Sequence, residues 1–179
     1  MKSKLSHVDA GGNPSMVDVS EKKITRRTAK AQAIVKLGKE IIGQMQGDEL
    51  ITRKGPVFQT AIIAGVMGAK KTHELIPFCH PLALEDCQIK ITVTKDKAFI
   101  DSTVVITSRT GVEMEALTAV SVAALTVYDM CKALSHNIVI EEIRLLEKRG
   151  GKKDFLIKVK KPRKQTLIFS RKQGQFCSF

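Results

Sequence analysis

Tryptophan is missing from this 179-residue chain, and tyrosine occurs once. With seven phenylalanines, aromatic residues make up 4% of the sequence. That is too few for the stacking platforms on which single-strand nucleic-acid binders depend. Cysteine is also scarce. Cys79, Cys87, Cys131 and Cys177 show no CxxC pair and no zinc-type spacing, so neither a metal ligand set nor a disulfide framework is expected. Reduced thiols in a cytoplasmic protein are the natural reading. No run of about 18 apolar residues occurs, so no membrane span is expected. The start, Met1-Lys2-Ser3-Lys4, leads into Asp9 and Gly11-Gly12 without the apolar core of a signal peptide.

Acidic residues are outnumbered. Thirty Lys and Arg stand against eighteen Asp and Glu, a net charge of +12. Such an excess suits polyanionic partners, either nucleic acid or phosphorylated small molecules. Seven of the cations fall in residues 158–179, which hold no acid. The chain divides accordingly into a mildly basic body, residues 1–157, and a basic C-terminal tail, 158–179, expected to be solvated rather than folded. Hydrophobic residues, 43% of the chain, suffice for one domain with a real core.

Short alternating segments and apolar helices follow one another through the body. Strands are expected at Met16–Val19, Ala31–Leu37, Gln88–Thr94, Phe99–Thr107, Ile138–Leu146 and Phe155–Val159, with a further short one at Thr166–Phe169. Lys95-Asp96-Lys97 reads as a hairpin turn. Helices are expected at 38–47, at 57–74 up to Pro77, and at 112–134, the last apolar over much of its surface. The order is mixed and hairpin-like, with no regular βαβ repeat, which favours an α+β fold.

Three constellations carry chemistry. In Leu75-Ile76-Pro77-Phe78-Cys79-His80-Pro81, Cys79 and His80 lie between two prolines that restrict the backbone. A stiffly held His suits acid–base work or phosphate binding; a core histidine beside a structural cysteine explains it equally well. Tyr128-Asp129-Met130-Cys131-Lys132 puts Asp129 and Lys132 three apart on one helix face. The setting is apolar, and a half-buried pair there would have shifted pKa values; an exposed ion pair is the ordinary alternative. Lys54-Gly55-Pro56 precedes a helix N-terminus, a reasonable anion site, or a plain surface lysine. Glu113 and Glu115 open the long helix, as its dipole favours. Gly65 to Thr72 has only a faint likeness to a phosphate-binding loop and fails the spacing. Glu113 and Asp129 would be about 24 Å apart along a continuous helix. They can serve one small-molecule site only if an oligomer brings one subunit's helix start to another's helix end.

Several long motifs stand in one order: His7-Val8-Asp9, Met16-Val17-Asp18-Val19-Ser20, Glu74 through Leu82, Thr110 through Thr118, Val122 through Thr126, and Tyr128 through Ala133. Over about residues 5–157 they closely resemble the cyclic pyranopterin monophosphate synthase family, the MoaC-type enzymes of molybdenum cofactor biosynthesis. The resemblance implies a ferredoxin-like antiparallel sheet with helices on one face, assembled as a homohexamer (a trimer of dimers) with interfacial active sites. It implies conversion of 3′,8-cyclo-7,8-dihydro-GTP, the product of a preceding radical enzyme, to cyclic pyranopterin monophosphate. Pyrophosphate leaves, a lyase reaction with no required redox cofactor and compatible with Mg²⁺ on the triphosphate.

Carried over position by position, the resemblance makes Asp129 the catalytic carboxylate, Lys132 its partner, and Lys54 and His80 further catalytic groups. Phe78, Cys79, His80, Glu113, Met114 and Glu115 become substrate contacts. Arg27, Lys70 and Lys71 suit the triphosphate. No residue is implied as a protein-held metal ligand. Three positions depart from the usual pattern: Phe78 for Leu, Arg109 for Lys, and Pro56 where an acidic or small residue is more common. A small basic nucleic-acid-binding module without catalysis is the second reading. It accounts for the charge and the tail, but not for acidic residues in apolar helices.

Overall fold

The computed structural model describes residues 11–157; the tail and the strand expected at Thr166–Phe169 lie outside the described residues. The central strand is β1 (Thr25–Lys36). A short helix α1 (Lys39–Ile42) and three small strands follow: β2 (Met45–Gln46), β3 (Glu49–Thr52) and β4 (Gly55–Pro56). Helices α2 (Val57–Lys70) and α3 (Thr72–Leu75) come next, then the hairpin β5 (Asp86–Thr94) and β6 (Lys97–Ser108). The chain closes with α4 (Glu113–Cys131), β7 (Val139–Arg149) and β8 (Phe155–Leu156).

The main sheet runs β5-β6-β1-β7-β8, and every neighbouring pair is antiparallel. The order β1-α2-β5-β6-α4-β7 is a βαββαβ unit, so the α+β fold is ferredoxin-like. Alternation decides which face is covered. Ala29, Ala31, Ala33 and Val35 of β1, with Ala98, Ile100 and Val104 of β6, are fully buried. They pack against Ala116, Val120, Ala123, Ala124 and Val127 of α4 in one core. The opposite face carries polar groups in contact: Gln32 Nε2 donates to Asp101 Oδ1 at 2.7 Å, and Lys30 pairs with Glu147 at 2.9 Å.

Two helices meet closely because small residues let them. A Cβ on Gly65 of α2 would meet the Ala119 carbonyl of α4 at 2.8 Å and collide with the Ile89 side chain. At 19 residues, α4 has the length and apolarity of a membrane span, but its apolar stripe is spent on the sheet. It is the core helix of the fold.

Several element ends shift by one to three residues, and four departures are larger. Met16–Val19 is not a strand; the alternation there extends over only four residues, and among the described residues no strand pairs with it. The strand expected at Ala31–Leu37 starts earlier, at Thr25, because β6 pairs with it over its whole length. The helix expected at 57–74 breaks at Lys71, whose φ of −108° and ψ of 15° leave the helical region. The segment 38–47 holds only one turn of helix before turning into β2. With β3 and β4 it forms a separate three-stranded sheet. The Lys95 turn is as expected, with Lys95 in the left-handed region at φ 59°.

Candidate active site

Asp129 lies in the last turn of α4, where the helix presents two different sides. Met130 and Cys131 are buried in the core, and burial pushes the Cys131 thiol up to about 11. Asp129 and Lys132 face outward, with side chains 53% and 55% exposed. The half-buried pair that the apolar neighbours suggested is therefore corrected: those neighbours fill the opposite side of the helix. Lys132 Nζ sits 2.7 Å from Asp129 Oδ1. Lys54 Nζ arrives from another element, donating to Asp129 Oδ2 at 2.6 Å and to the Asp129 main-chain carbonyl at 3.1 Å. Hydrogen bonds from Lys132 and Lys54 hold the Asp129 carboxyl down at about 2, and Asp129 raises the Lys132 pKa in return. At neutral pH the cluster is thus a carboxylate clamped by two lysines, not a poised weak base.

Lys54 reaches Asp129 from the tip of a hairpin. Thr52 of β3 pairs with Gly55 of β4, leaving Arg53 and Lys54 as a two-residue turn. Gly55 has φ 105°, a left-handed conformation that glycine adopts without strain. The Thr52 hydroxyl accepts the Lys54 N–H at 3.2 Å.

A second cluster gathers at the start of α4. Glu115 is only 4% exposed. Burial, with the nearby Glu113 charge, pushes its carboxyl up to about 7. Its charge reaches Cys79, whose thiol is raised by burial and by Glu115. The Pro-bounded segment therefore lies within electrostatic range of the helix start. Phe78 and Met114 leave large apolar surfaces exposed. Glu113 turns instead to Lys148 at 3.0 Å, on the wall of a groove of about 410 Å³.

That groove is strongly cationic. Seven Lys and Arg residues line it, among them Arg27, Arg109, Lys148 and Arg149, against the single acid Glu113. Arg27 is braced by the Ser108 and Arg109 carbonyls, each at 3.4 Å. The loop after β7 closes one side. Gly150, at φ 82°, lies so close to the Arg26 carbonyl that any Cβ would collide with it. The sequence singled out Arg27 but not Arg109, Lys148 or Arg149 as groove residues. The signal for the last two was the cluster of cations around Gly150-Gly151.

Not every expected residue joins a cluster. Lys71 pairs with Glu74 at 3.5 Å on the rim of a shallow apolar groove formed with Met67, Leu75 and Val122. Lys70 acts on Cys87, slightly offsetting the burial that raises that thiol to about 11. Within one chain, neither lysine lines the Arg27 groove. His80 is partly buried in the loop after α3.

The fold and the two charged clusters define a ferredoxin-like α+β protein with a carboxylate–lysine centre and a separate groove lined by cations. The MoaC family model matches residues 16–151, and the chain belongs to the MoaC family. A cyclic pyranopterin monophosphate synthase of Xanthomonas oryzae is 52% identical over 153 residues, covering 85% of this chain and 93% of that protein. Molybdenum cofactor biosynthesis protein 1 of Drosophila melanogaster is 52% identical over 155 residues, 86% of this chain and 27% of that protein. A molybdenum cofactor biosynthesis bifunctional protein of Synechocystis is 49% identical, covering 84% of this chain and 45% of that protein.

Proposed function

We propose that this chain is a cyclic pyranopterin monophosphate synthase. It converts 3′,8-cyclo-7,8-dihydro-GTP to cyclic pyranopterin monophosphate, releases pyrophosphate as a phosphorus–oxygen lyase, and works in the cytoplasm. The observation that carries this reading is the pairing on one helix of an Asp129 carboxylate clamped by Lys54 and Lys132 with a cationic groove at the helix's other end.

The residues divide the chemistry. Forming a cyclic phosphate requires a substrate hydroxyl to attack the α-phosphorus while pyrophosphate departs, which builds negative charge on phosphate oxygens. Preorganised cations stabilise that charge. Arg27, Arg109 and Lys148 supply them, and Lys70 and Lys71 are candidates to join from a second subunit. Rearranging the purine into a pterin needs several proton transfers. Lys132, held protonated by Asp129, donates; Asp129 remains a carboxylate and orients both lysines. Lys54 and His80 share the remaining transfers, while Phe78, Cys79, Met114 and Glu115 contact the ring system. Among the described residues, no three His, Cys, Asp or Glu side chains cluster as a metal site. An Mg²⁺ brought in on the substrate triphosphate is compatible with the reading, and no step is routed through it.

The length of α4 keeps its two ends from meeting in one site of one chain. We therefore propose a site at a subunit interface; that the assembly is a homohexamer, a trimer of dimers, is what the family resemblance implies. The nucleic-acid-binding alternative is not retained, since nothing in the charged clusters favours it over a nucleotide.

The test is turnover. Purified protein supplied with 3′,8-cyclo-7,8-dihydro-GTP should form cyclic pyranopterin and pyrophosphate in equal amounts. Lys148→Ala and Arg27→Ala should each raise KM on the order of 10-fold or more, the scale of one charge-assisted hydrogen bond. Absence of pyrophosphate release by the wild-type protein would overturn the reading.

A further inference from the structure

Helix α2 begins without a cap of its own. Pro56, at the N-cap position, has an extended backbone and no side-chain acceptor, and the first turn holds no acid. The N–H groups of the second and third helical residues are the ones a capping side chain normally satisfies. Here a carboxylate from another element satisfies them. Glu49 of β3 accepts the Phe58 N–H at 2.8 Å through Oε1 and the Gln59 N–H at 3.1 Å through Oε2. Oε1 also accepts its neighbour's Leu50 N–H at 2.8 Å. The carboxylate thus bridges the base of the β3–β4 hairpin to the start of α2, and complements the positive end of the helix dipole.

That hairpin presents Lys54 at its tip, and it runs into α2 through Pro56 with no linker. Its angle to the helix is set by the groups that span the two elements: the buried Leu50 side chain and the Glu49 carboxylate. From this tip Lys54 reaches across to two acceptors on Asp129, near the far end of α4. A small change of angle at the base is enlarged at the tip.

We propose that Glu49 is a positioning residue for Lys54: its bridge to α2 sets the hairpin angle at which the Lys54 ammonium meets Asp129. The contribution to turnover rests on the function proposed above, whereas the geometric claim does not. Glu49 touches neither Lys54 nor Asp129; it acts through the hairpin.

The experiment separates a bridge from an ordinary helix cap. The Asp129 carboxyl midpoint is followed by carbon NMR in the wild type, Lys54→Met, Glu49→Ala, Glu49→Gln and the double variant Glu49→Ala/Pro56→Ser, alongside melting temperature and kcat. With Lys132 still in place, Lys54→Met defines the share of the rise from about 2 toward the ordinary 3.8 that Lys54 accounts for. Glu49→Ala should move it in the same direction and lower kcat by about 10- to 100-fold, with a smaller change in KM. In the double variant, the Pro56→Ser change restores a local cap but not the bridge. Its melting temperature should recover, while the midpoint and kcat stay where Glu49→Ala left them. Glu49→Gln keeps one acceptor oxygen and should fall between; it decides the matter if Glu49→Ala does not fold. An unchanged Asp129 midpoint in the Glu49 variants, or its recovery together with the melting temperature, would overturn the proposal. If wild-type turnover is absent, the midpoints still test the bridge.

Discussion

Glu113 opens α4 and Asp129 stands two residues before its end, so sixteen residues of unbroken helix separate them by about 24 Å. Each anchors a different charged cluster, Glu113 through Lys148 and Asp129 through Lys54 and Lys132. An assembly that joins the start of one α4 to the end of another has a distinctive genetic consequence. Asp129→Asn subunits and Arg27→Ala/Lys148→Ala subunits, each weakened by about 100-fold alone at substrate below KM, should regain activity when unfolded and refolded together. Random pairing leaves roughly a quarter of the interfaces with both halves intact, and activity should recover to about that fraction. No recovery across mixing ratios would place each site within a single chain.

Asp129→Asn should lower kcat by at least about 100-fold, the usual scale for catalytic groups left mispositioned, here Lys54 and Lys132. Its effect on melting temperature should be small, because the side chain and both of its lysine partners are half exposed and exposed pairs contribute little to stability. Measuring turnover and thermal melting on the same preparation checks this. A large drop in melting temperature would recast Asp129 as a structural residue.

These two clusters were not equally legible. Asp129 and Lys132 are three apart, and helical periodicity alone pairs them. Lys54 stood out as a cation ahead of a helix N-terminus and as a position of the family motif, but it lies 75 residues from Asp129 and neither signal announces that contact. Lys148 escaped notice because its partner Glu113 is brought to it by the packing of α4 on β7, which no local spacing shows. The long elements were readable because alternation in β5 and β6 and the apolar stripe of α4 extend over many residues. The first half of β1, Thr-Arg-Arg-Thr-Ala-Lys, hid its inward face because alanine carries almost no hydrophobic signal. The small strands β2 to β4 are two to four residues long, too short for any period to appear.

Glu115 gives the protein a pH dependence with a definite sign. Burial raises its carboxyl from 4.5 to about 7 in the folded state. The folded chain therefore holds a proton that the unfolded chain releases between those values. Stability contributed by the neutral carboxyl is full below about pH 4.5, falls as pH rises, and is lost above about pH 7. The total is on the order of 3 kcal/mol. Urea unfolding across this range should show wild-type stability declining relative to Glu115→Gln, with the two curves parallel above pH 7. A difference that stays constant from pH 4.5 to 7 would show that Glu115 is ionised throughout.

Gly65→Ala should destabilise the chain by about 1–3 kcal/mol, the usual range for overpacking. The added methyl meets a backbone carbonyl at 2.8 Å, and a carbonyl in the core helix cannot swing away as a side chain can. Chemical denaturation measures it. Unchanged stability would mean that α2 and α4 can slide apart freely at this point.

The seam between β1 and α4 is built from alanines: Ala29, Ala31 and Ala33 on the strand, with Ala116, Ala123 and Ala124 on the helix. Its tolerance to mutation is one-sided. There is almost no side-chain volume left to remove, so the familiar loss of stability by carving a hole has little to act on here. Growth is the hazard: a single added branch lifts the helix from its strand. Because α4 is one continuous helix with a charged cluster at each end, a methyl group that tilted it at mid-length would displace both clusters. Drift at this seam should therefore be read in catalysis before it is read in folding.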